Sequence, residues 1–121
     1  MPKHILIVDD DPIAIKILTR LLVGRGYLVM AAANGEDLMA RLTAFKPDAV
    51  LMDVMLPGMD GVQLAERLGQ IPATAATPII FLSALISPDQ PQDSPINPRH
   101  HYLCKSFEPE VLLELLKRIG V

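Results

Sequence analysis

Acidic, hydroxyl and ammonium side chains stand directly behind short apolar runs in this sequence. Asp9, Asp10 and Asp11 follow Ile5-Leu6-Ile7-Val8, and Asp53 follows Ala49 to Met52. Ser83 follows Ile79-Ile80-Phe81-Leu82, and Lys105 follows Tyr102-Leu103-Cys104. Singly, each has a plain explanation. Asp11 before Pro12 is a helix N-cap with proline at the first helical position, and an acid after a strand is an ordinary loop residue. Brought together, Asp9, Asp10 and Asp53 would repel one another unless a cation compensates. The natural compensator is a hard divalent ion such as Mg²⁺, held by one or two carboxylates, a carbonyl and water. Lysine is a compact point charge suited to a phosphoryl oxygen, and a serine hydroxyl can donate to another. The set suits a carboxylate nucleophile attacking phosphorus, with the metal and Lys105 neutralising transition-state charge.

Such convergence requires elements that end at one edge. The run Ile5–Val8 is apolar throughout, as in a strand buried on both faces of a parallel sheet. Ala14, Ile17, Leu18 and Leu21 form one helical stripe, which Gly24 to Gly26 stop. Tyr27 to Ala33 reads as a second strand, and Asn34-Gly35 opens a helix carrying Leu38, Met39, Leu42 and Phe45. Ala49 to Met52 form a third strand, and Pro57-Gly58 with Gly61 a turn-rich loop. Leu64, Ala65 and Leu68 line a third helix. Ile79 to Leu82 give a fourth strand and Tyr102 to Cys104 a fifth. Val111, Leu112, Leu115, Leu116 and Ile119 stripe the last helix. This alternation predicts an α/β fold, a doubly wound parallel sheet with helices on both faces. In such sheets ligands sit outside the carboxyl ends of the strands, where these polar residues stand.

Composition narrows the class. A length of 121 residues suits one domain, here residues 1–121. One cysteine, Cys104, excludes an intramolecular disulfide framework and fits a reducing compartment. A net charge of −3 argues against direct nucleic-acid binding or an anionic membrane surface. The N-terminal apolar stretch is too short for a signal peptide. The run Ile79–Ile86, broken by Ser83, is far short of the roughly 20 residues a membrane helix needs. The expectation is a cytoplasmic chain without a membrane segment.

The string Ile5-Leu6-Ile7-Val8-Asp9-Asp10-Asp11-Pro12 resembles the opening of the receiver domain of two-component response regulators. So do Asn34-Gly35-Glu36, the stretch Pro47-Asp48 through Asp53-Val54-Met55-Leu56-Pro57-Gly58-Met59-Asp60-Gly61, Leu82-Ser83-Ala84 and Tyr102-Leu103-Cys104-Lys105. The resemblance covers nearly the whole chain except residues 85–101. It implies a five-stranded sheet of flavodoxin-like order 2-1-3-4-5. It further implies that Asp53 is the phosphoacceptor, taking a phosphoryl group from a phosphohistidine on a sensor histidine kinase or histidine phosphotransfer protein. Asp9 and Asp10, with Asp53 and the backbone carbonyl of Met55, would hold Mg²⁺. Lys105 would pair with the acyl phosphate, Ser83 would hydrogen-bond it, and Ala84 would leave it room. Tyr102 matches an aromatic switch that moves with that hydroxyl.

Two departures stand out. The family usually has proline after the lysine, in a cis peptide; here it is Ser106. A non-proline cis bond costs roughly 2.5–4 kcal/mol, so a trans bond and a slightly displaced Lys105 are expected. The second departure is residues 85–101, where the family has a fourth helix. Pro88, Pro91, Pro95 and Pro98 interrupt this stretch, and an interior proline costs about 3 kcal/mol. The fourth helix is therefore expected to be missing or remodelled, replaced by an extended or mobile Pro-rich loop that exposes Phe107 and 82–86 to a partner.

The leading reading is a Mg²⁺-dependent aspartyl-phosphate switch that signals to a downstream protein or output domain and turns over no external substrate. It would be either a stand-alone receiver or a piece of a longer protein, with the last helix available for a homodimer. The alternative is a phosphorylation-independent interaction module, motivated by Ser106 and the rewritten loop. An aspartyl-nucleophile enzyme would need a substrate cap for which a chain of this length has little room. Adjacent His100 and His101 point to opposite strand faces and do not make a metal site.

Overall fold

The apolar runs Ile5–Val8, Ala49–Met52 and Ile79–Leu82 become strands covered on both faces. The computed structural model describes residues 2–56, 58–83 and 91–121. In chain order the elements are β1 (His4–Val8), α1 (Pro12–Val23), β2 (Leu28–Ala32), α2 (Gly35–Arg41), β3 (Ala49–Asp53), β4 (Met55–Leu56) and β5 (Met59–Asp60). There follow α3 (Gly61–Gly69), β6 (Ile79–Ser83), β7 (Gln92–Asp93), β8 (His100–Cys104) and α4 (Pro109–Arg118). The main sheet runs β2-β1-β3-β6-β8-β7. Its first five members pair in parallel, in the order expected from the resemblance.

The two faces alternate residue by residue. Ile5, Ile7, Leu51, Ile80, Leu82 and Leu103 meet Leu18 and Leu22 of α1 and Leu112, Leu115 and Leu116 of α4. Leu6, Val8, Val50, Met52 and Phe81 meet Leu38 of α2 and Leu64, Ala65 and Leu68 of α3. Burying a side chain of this size stabilises the fold by roughly 1.5–3 kcal/mol, so register is strongly specified: a slip of one residue would exchange the faces. Local signals fix the helix starts. Asp11 accepts from Ile13 N–H at 2.9 Å and Asn34 from Asp37 N–H at 2.9 Å. Helix α2 ends at Arg41 rather than running on to Phe45 as its stripe suggested.

The sheet extends beyond the expected five strands. Residues 84–90, including the first part of the Pro-rich stretch, lie outside the described residues. The rest of that stretch is not a free loop. Gln92–Asp93 forms an antiparallel edge strand opposite Tyr102 and His101, and no helix occurs in 91–101. An edge strand tolerates flanking prolines because only one side of it must donate. The turn after β7 is tied by its own polar side chains: Ser94 Oγ accepts from Asn97 N–H at 3.2 Å, and Asn97 Oδ1 from Arg99 N–H at 3.0 Å. Nor is Phe107 freed: it packs partly buried against the α1–α4 core, and Leu82 is buried.

Candidate functional site

Register places the acids side by side. Val8 is opposite Met52 in the β1–β3 ladder, so Asp9 and Asp53 emerge together at the carboxyl edge. Asp53 is opposite Leu82 in β6, and Ser83 is opposite Cys104 in β8. The N–H of Lys105 then donates to the Ser83 carbonyl at 3.0 Å. Four strand ends thus deliver Asp9, Asp53, Ser83 and Lys105 to one rim.

Carboxylate oxygens of Asp9, Asp10 and Asp53 all lie within 4.8 Å of one another. Asp9 and Asp53 are only 1% and 4% exposed, whereas Asp10 faces solvent. Asp53 Oδ2 accepts from Lys105 Nζ at 2.8 Å, and Oδ1 accepts from the Met55 N–H at 3.1 Å. Asp9 Oδ1 accepts from the Asp11 N–H at 3.0 Å. Its Oδ2 is buried with no hydrogen-bond partner. Burial pushes the Asp9 carboxyl above its ordinary range; the Asp11 N–H opposes this and the charge of Asp53 adds to it. The hydrogen bond to Asp53 raises the Lys105 ammonium, against the effect of its partial burial.

A hard divalent cation fits this arrangement. The donors are all oxygen, the charge is concentrated, and the orphaned Asp9 oxygen lacks the partner that a buried carboxylate requires. The Lys105 side chain keeps 44% of its surface exposed, so it can follow an oxygen that moves outward from Asp53.

The remaining expected residues are placed as follows. Met55 begins β4 with its side chain 80% exposed. Tyr102 is half-buried, its ring stacked on Phe81 at 5.1 Å and 26°; it makes no hydrogen bond to the acids. Ala84 lies outside the described residues. The Lys105–Ser106 bond is trans, and Lys105 nonetheless reaches Asp53.

Gly61, a turn glycine by its sequence, stands against the site. Its N–H donates to the Val54 carbonyl at 2.7 Å, and a Cβ there would stand 2.5 Å from the Asp53 carbonyl oxygen. The missing side chain is what allows the β4–β5 hairpin to close against the end of β3. The Asp-Gly dipeptide ahead of a helical stripe was the available signal: Asp60 caps α3 through the Gln63 N–H at 2.9 Å.

A family model described as the response regulator receiver domain matches residues 5–117. The chain belongs to the receiver-domain family. It is 36% identical over 119 residues to the protein PilH of Pseudomonas aeruginosa, covering 96% of each chain. It is 40% identical over 121 residues to that organism's positive alginate biosynthesis regulatory protein, but spans only 46% of that protein's length. Among solved structures it is similar to the receiver domain of the sensor histidine kinase PA1611 from P. aeruginosa. The TM-score is 0.81 at 28% identity, with 100% of both chains covered. That structure has a magnesium ion coordinated in its active-site cleft. The fold is thus the flavodoxin-like receiver fold, and the function is that of a phosphoaccepting signalling domain of two-component systems. Receiver domains work with histidine kinases and downstream effectors. Among the described residues, no helix is long and apolar enough to cross a membrane.

Proposed function

We propose that residues 1–121 form one receiver unit in which Asp53 is the phosphoacceptor, and that the donor is a phosphohistidine on a kinase or histidine phosphotransfer protein. The observation that carries this reading is the Lys105 ammonium 2.8 Å from Asp53 Oδ2, beside a cluster of acids within 4.8 Å. An oxygen of Asp53 attacks phosphorus as the P–N bond breaks, and the imidazole leaves with the bonding pair. Lys105 stays with the charge by moving from the carboxylate oxygen to a phosphoryl oxygen, its exposed stem giving it the reach. Ser83, adjoining Lys105 across the β6–β8 ladder, offers a hydroxyl to a second phosphoryl oxygen.

Asp9, Asp10, Asp53 and the Met55 carbonyl are the groups assigned to Mg²⁺. When bound, the ion neutralises charge on the transferring phosphoryl group. Asp9 and Asp10 would hold it, and its charge would offset their mutual repulsion. In this reading the chain acts as a switch that turns over no separate substrate, in the cytoplasm where its donor's phosphohistidine is available.

An NMR titration with Mg²⁺ and beryllofluoride, a stable acyl-phosphate mimic, tests this on wild type and Asp53→Asn. Saturable, Mg²⁺-dependent shifts at Asp53, Ser83 and Lys105 that vanish in the variant are expected. Mg²⁺ binding without any beryllofluoride response would overturn the reading and favour a phosphorylation-independent interaction module.

A further inference from the structure

The stretch where a fourth helix was expected places one carboxylate between three elements. Asp93 of β7 bonds His101 Nδ1 of β8 at 2.7 Å. The same carboxylate receives both guanidinium nitrogens of Arg118 at the end of α4, at 3.0 and 3.1 Å. In an antiparallel ladder directly opposed residues share a face, and Asp93 is opposite His101; the contact follows from register. A bidentate Arg–carboxylate pair is more directional than an ordinary surface ion pair, so β7 is fixed to α4 as well as to β8.

Strand β8 is common to this cluster and to the phosphoacceptor site. Its carboxyl end runs directly into Lys105, which holds Asp53, while His101 and Tyr102 within it hold β7. Helix α4 is joined to the same strand end through a short turn, in which the Phe107 N–H donates to the Cys104 carbonyl at 3.1 Å. When the oxygen that Lys105 contacts moves outward by a P–O bond, whatever part of that displacement the lysine stem does not take up falls on the end of β8. Any shift of β8 relative to α4 or β7 must change the geometry around Asp93, since that carboxylate bridges all three.

We propose that Asp93 is a latch: it joins edge strand β7 to α4 through His101 and Arg118, and its closure is coupled to the state of Asp53. The edge strand thereby reports the phosphoryl state at the surface. This rests on the reading of Asp53 as phosphoacceptor. Coupling between two sites is reciprocal, so the latch must also bias binding at Asp53 although it touches none of the acids there.

The test uses the whole chain with Mg²⁺ and beryllofluoride. In wild type, saturating beryllofluoride is expected to change amide exchange at Ser94, whose N–H donates to the His100 carbonyl, by about fivefold or more. Asp93→Asn and Arg118→Gln are expected to change the apparent beryllofluoride affinity by a similar factor, both in the same direction. Saturable shifts at Asp53, Ser83 and Lys105, with Ser94 exchange and both variants' affinities within about twofold of wild type, would refute the latch and leave the phosphoacceptor reading standing. No shift at Asp53, Ser83 or Lys105 would refute both. The exchange measurement needs no variant, so a variant that fails to fold does not remove the test.

Discussion

The ammonium of Lys105 sits 2.8 Å from Asp53 although a serine, not a proline, follows it across a trans bond. The Ser106 N–H, a group proline would lack, donates to Cys104 Sγ at 3.4 Å. This local bond gives the turn after β8 a substitute restraint, and the lysine remains within reach of Asp53.

Replacing that lysine should separate chemistry from stability. Lys105→Met is expected to slow phosphoryl transfer to Asp53 by on the order of 10²-fold, the usual effect of removing one donor from a charged transition state. Its side chain is nearly half exposed, so solvent screens the pair and the cost in folding stability stays below about 1 kcal/mol. Transfer kinetics and a urea melt on the same variant check both halves. Equal rates in wild type and variant would show that Lys105 does not accompany the phosphoryl group.

Asp9 should behave in the opposite sense. The folded chain holds the Asp9 proton more tightly than the unfolded chain does, because burial raises this carboxyl. Stability therefore falls as pH rises from the ordinary carboxylate range through the raised folded value. Asp9→Asn removes the penalty, so at neutral pH in metal-free buffer its urea midpoint should exceed that of wild type. The variant should also lose most of the stabilisation that added Mg²⁺ confers on wild type. Melts with and without Mg²⁺ decide it: a lower midpoint in metal-free buffer would mean that the buried carboxylate contributes to the apo fold.

Gly61 supports Asp53 from behind. Gly61→Ala puts a Cβ 2.5 Å from the Asp53 carbonyl oxygen and 3.1 Å from Val54 Cα. Both obstacles are backbone, so the strand end must shift; overpacking of this kind costs about 1–3 kcal/mol. A urea midpoint unchanged from wild type would show that the hairpin yields instead.

These sites differ in how plainly the sequence announces them. Strands β1, β3 and β6 are buried on both faces and are written as apolar runs, β8 closes on the shorter run Tyr102-Leu103-Cys104, and the polar residue ending each run marks the functional edge. That is why Asp9, Asp53, Ser83 and Lys105 were legible. Strand β7 has no such signature. Gln92 and Asp93 are both polar and exposed, between Pro91 and Pro95. Their pairing is set by register with β8 and by Arg118, 25 residues from Asp93. Local pattern cannot report a partner that distant. Gly61 was visible as a glycine, but the backbone it approaches is defined only once β3 and the hairpin are assembled.

The charge pattern around Asp93 makes a prediction about acid. Hydrogen bonds from Arg118 and then His101 hold this carboxyl well below its ordinary 3.8. A depressed carboxyl contributes stability that is present above the unfolded value and lost as pH falls through the folded value. The Asp93–Arg118 pair should persist down to pH ~4 and dissociate only well below the ordinary value. A carbonyl-detected NMR titration of the Asp93 side chain measures this; a midpoint at or above 3.8 would mean that the pair does not hold in solution.

A phosphohistidine can reach Asp53 only if its protein sits over the carboxyl edge of the sheet, which constrains where the donor makes contact. Beside the acids, a groove of about 360 Å³ between α1 and α4 is lined by Asp9, Ile17, Leu21, Lys105, Phe107 and Pro109. Ile17 in its lining and Ile13, one turn earlier on α1, are 63% and 68% exposed, unusually open for large aliphatic side chains one to two turns from a charged site. A histidine-bearing donor that covers this rim buries both. Ile17→Glu places a charge there without touching the acids or Lys105, and as a solvent-facing substitution it should alter stability by no more than about 0.5 kcal/mol. Transfer from the phosphorylated protein donor is expected to fall by roughly tenfold or more, corresponding to loss of about 1.4 kcal/mol of association energy. Beryllofluoride affinity should stay at the wild-type value, because that ligand meets only the site itself. Equal loss in both assays would place Ile17 in the support of the acid cluster. Loss in neither would move the donor's contact to another side of the rim.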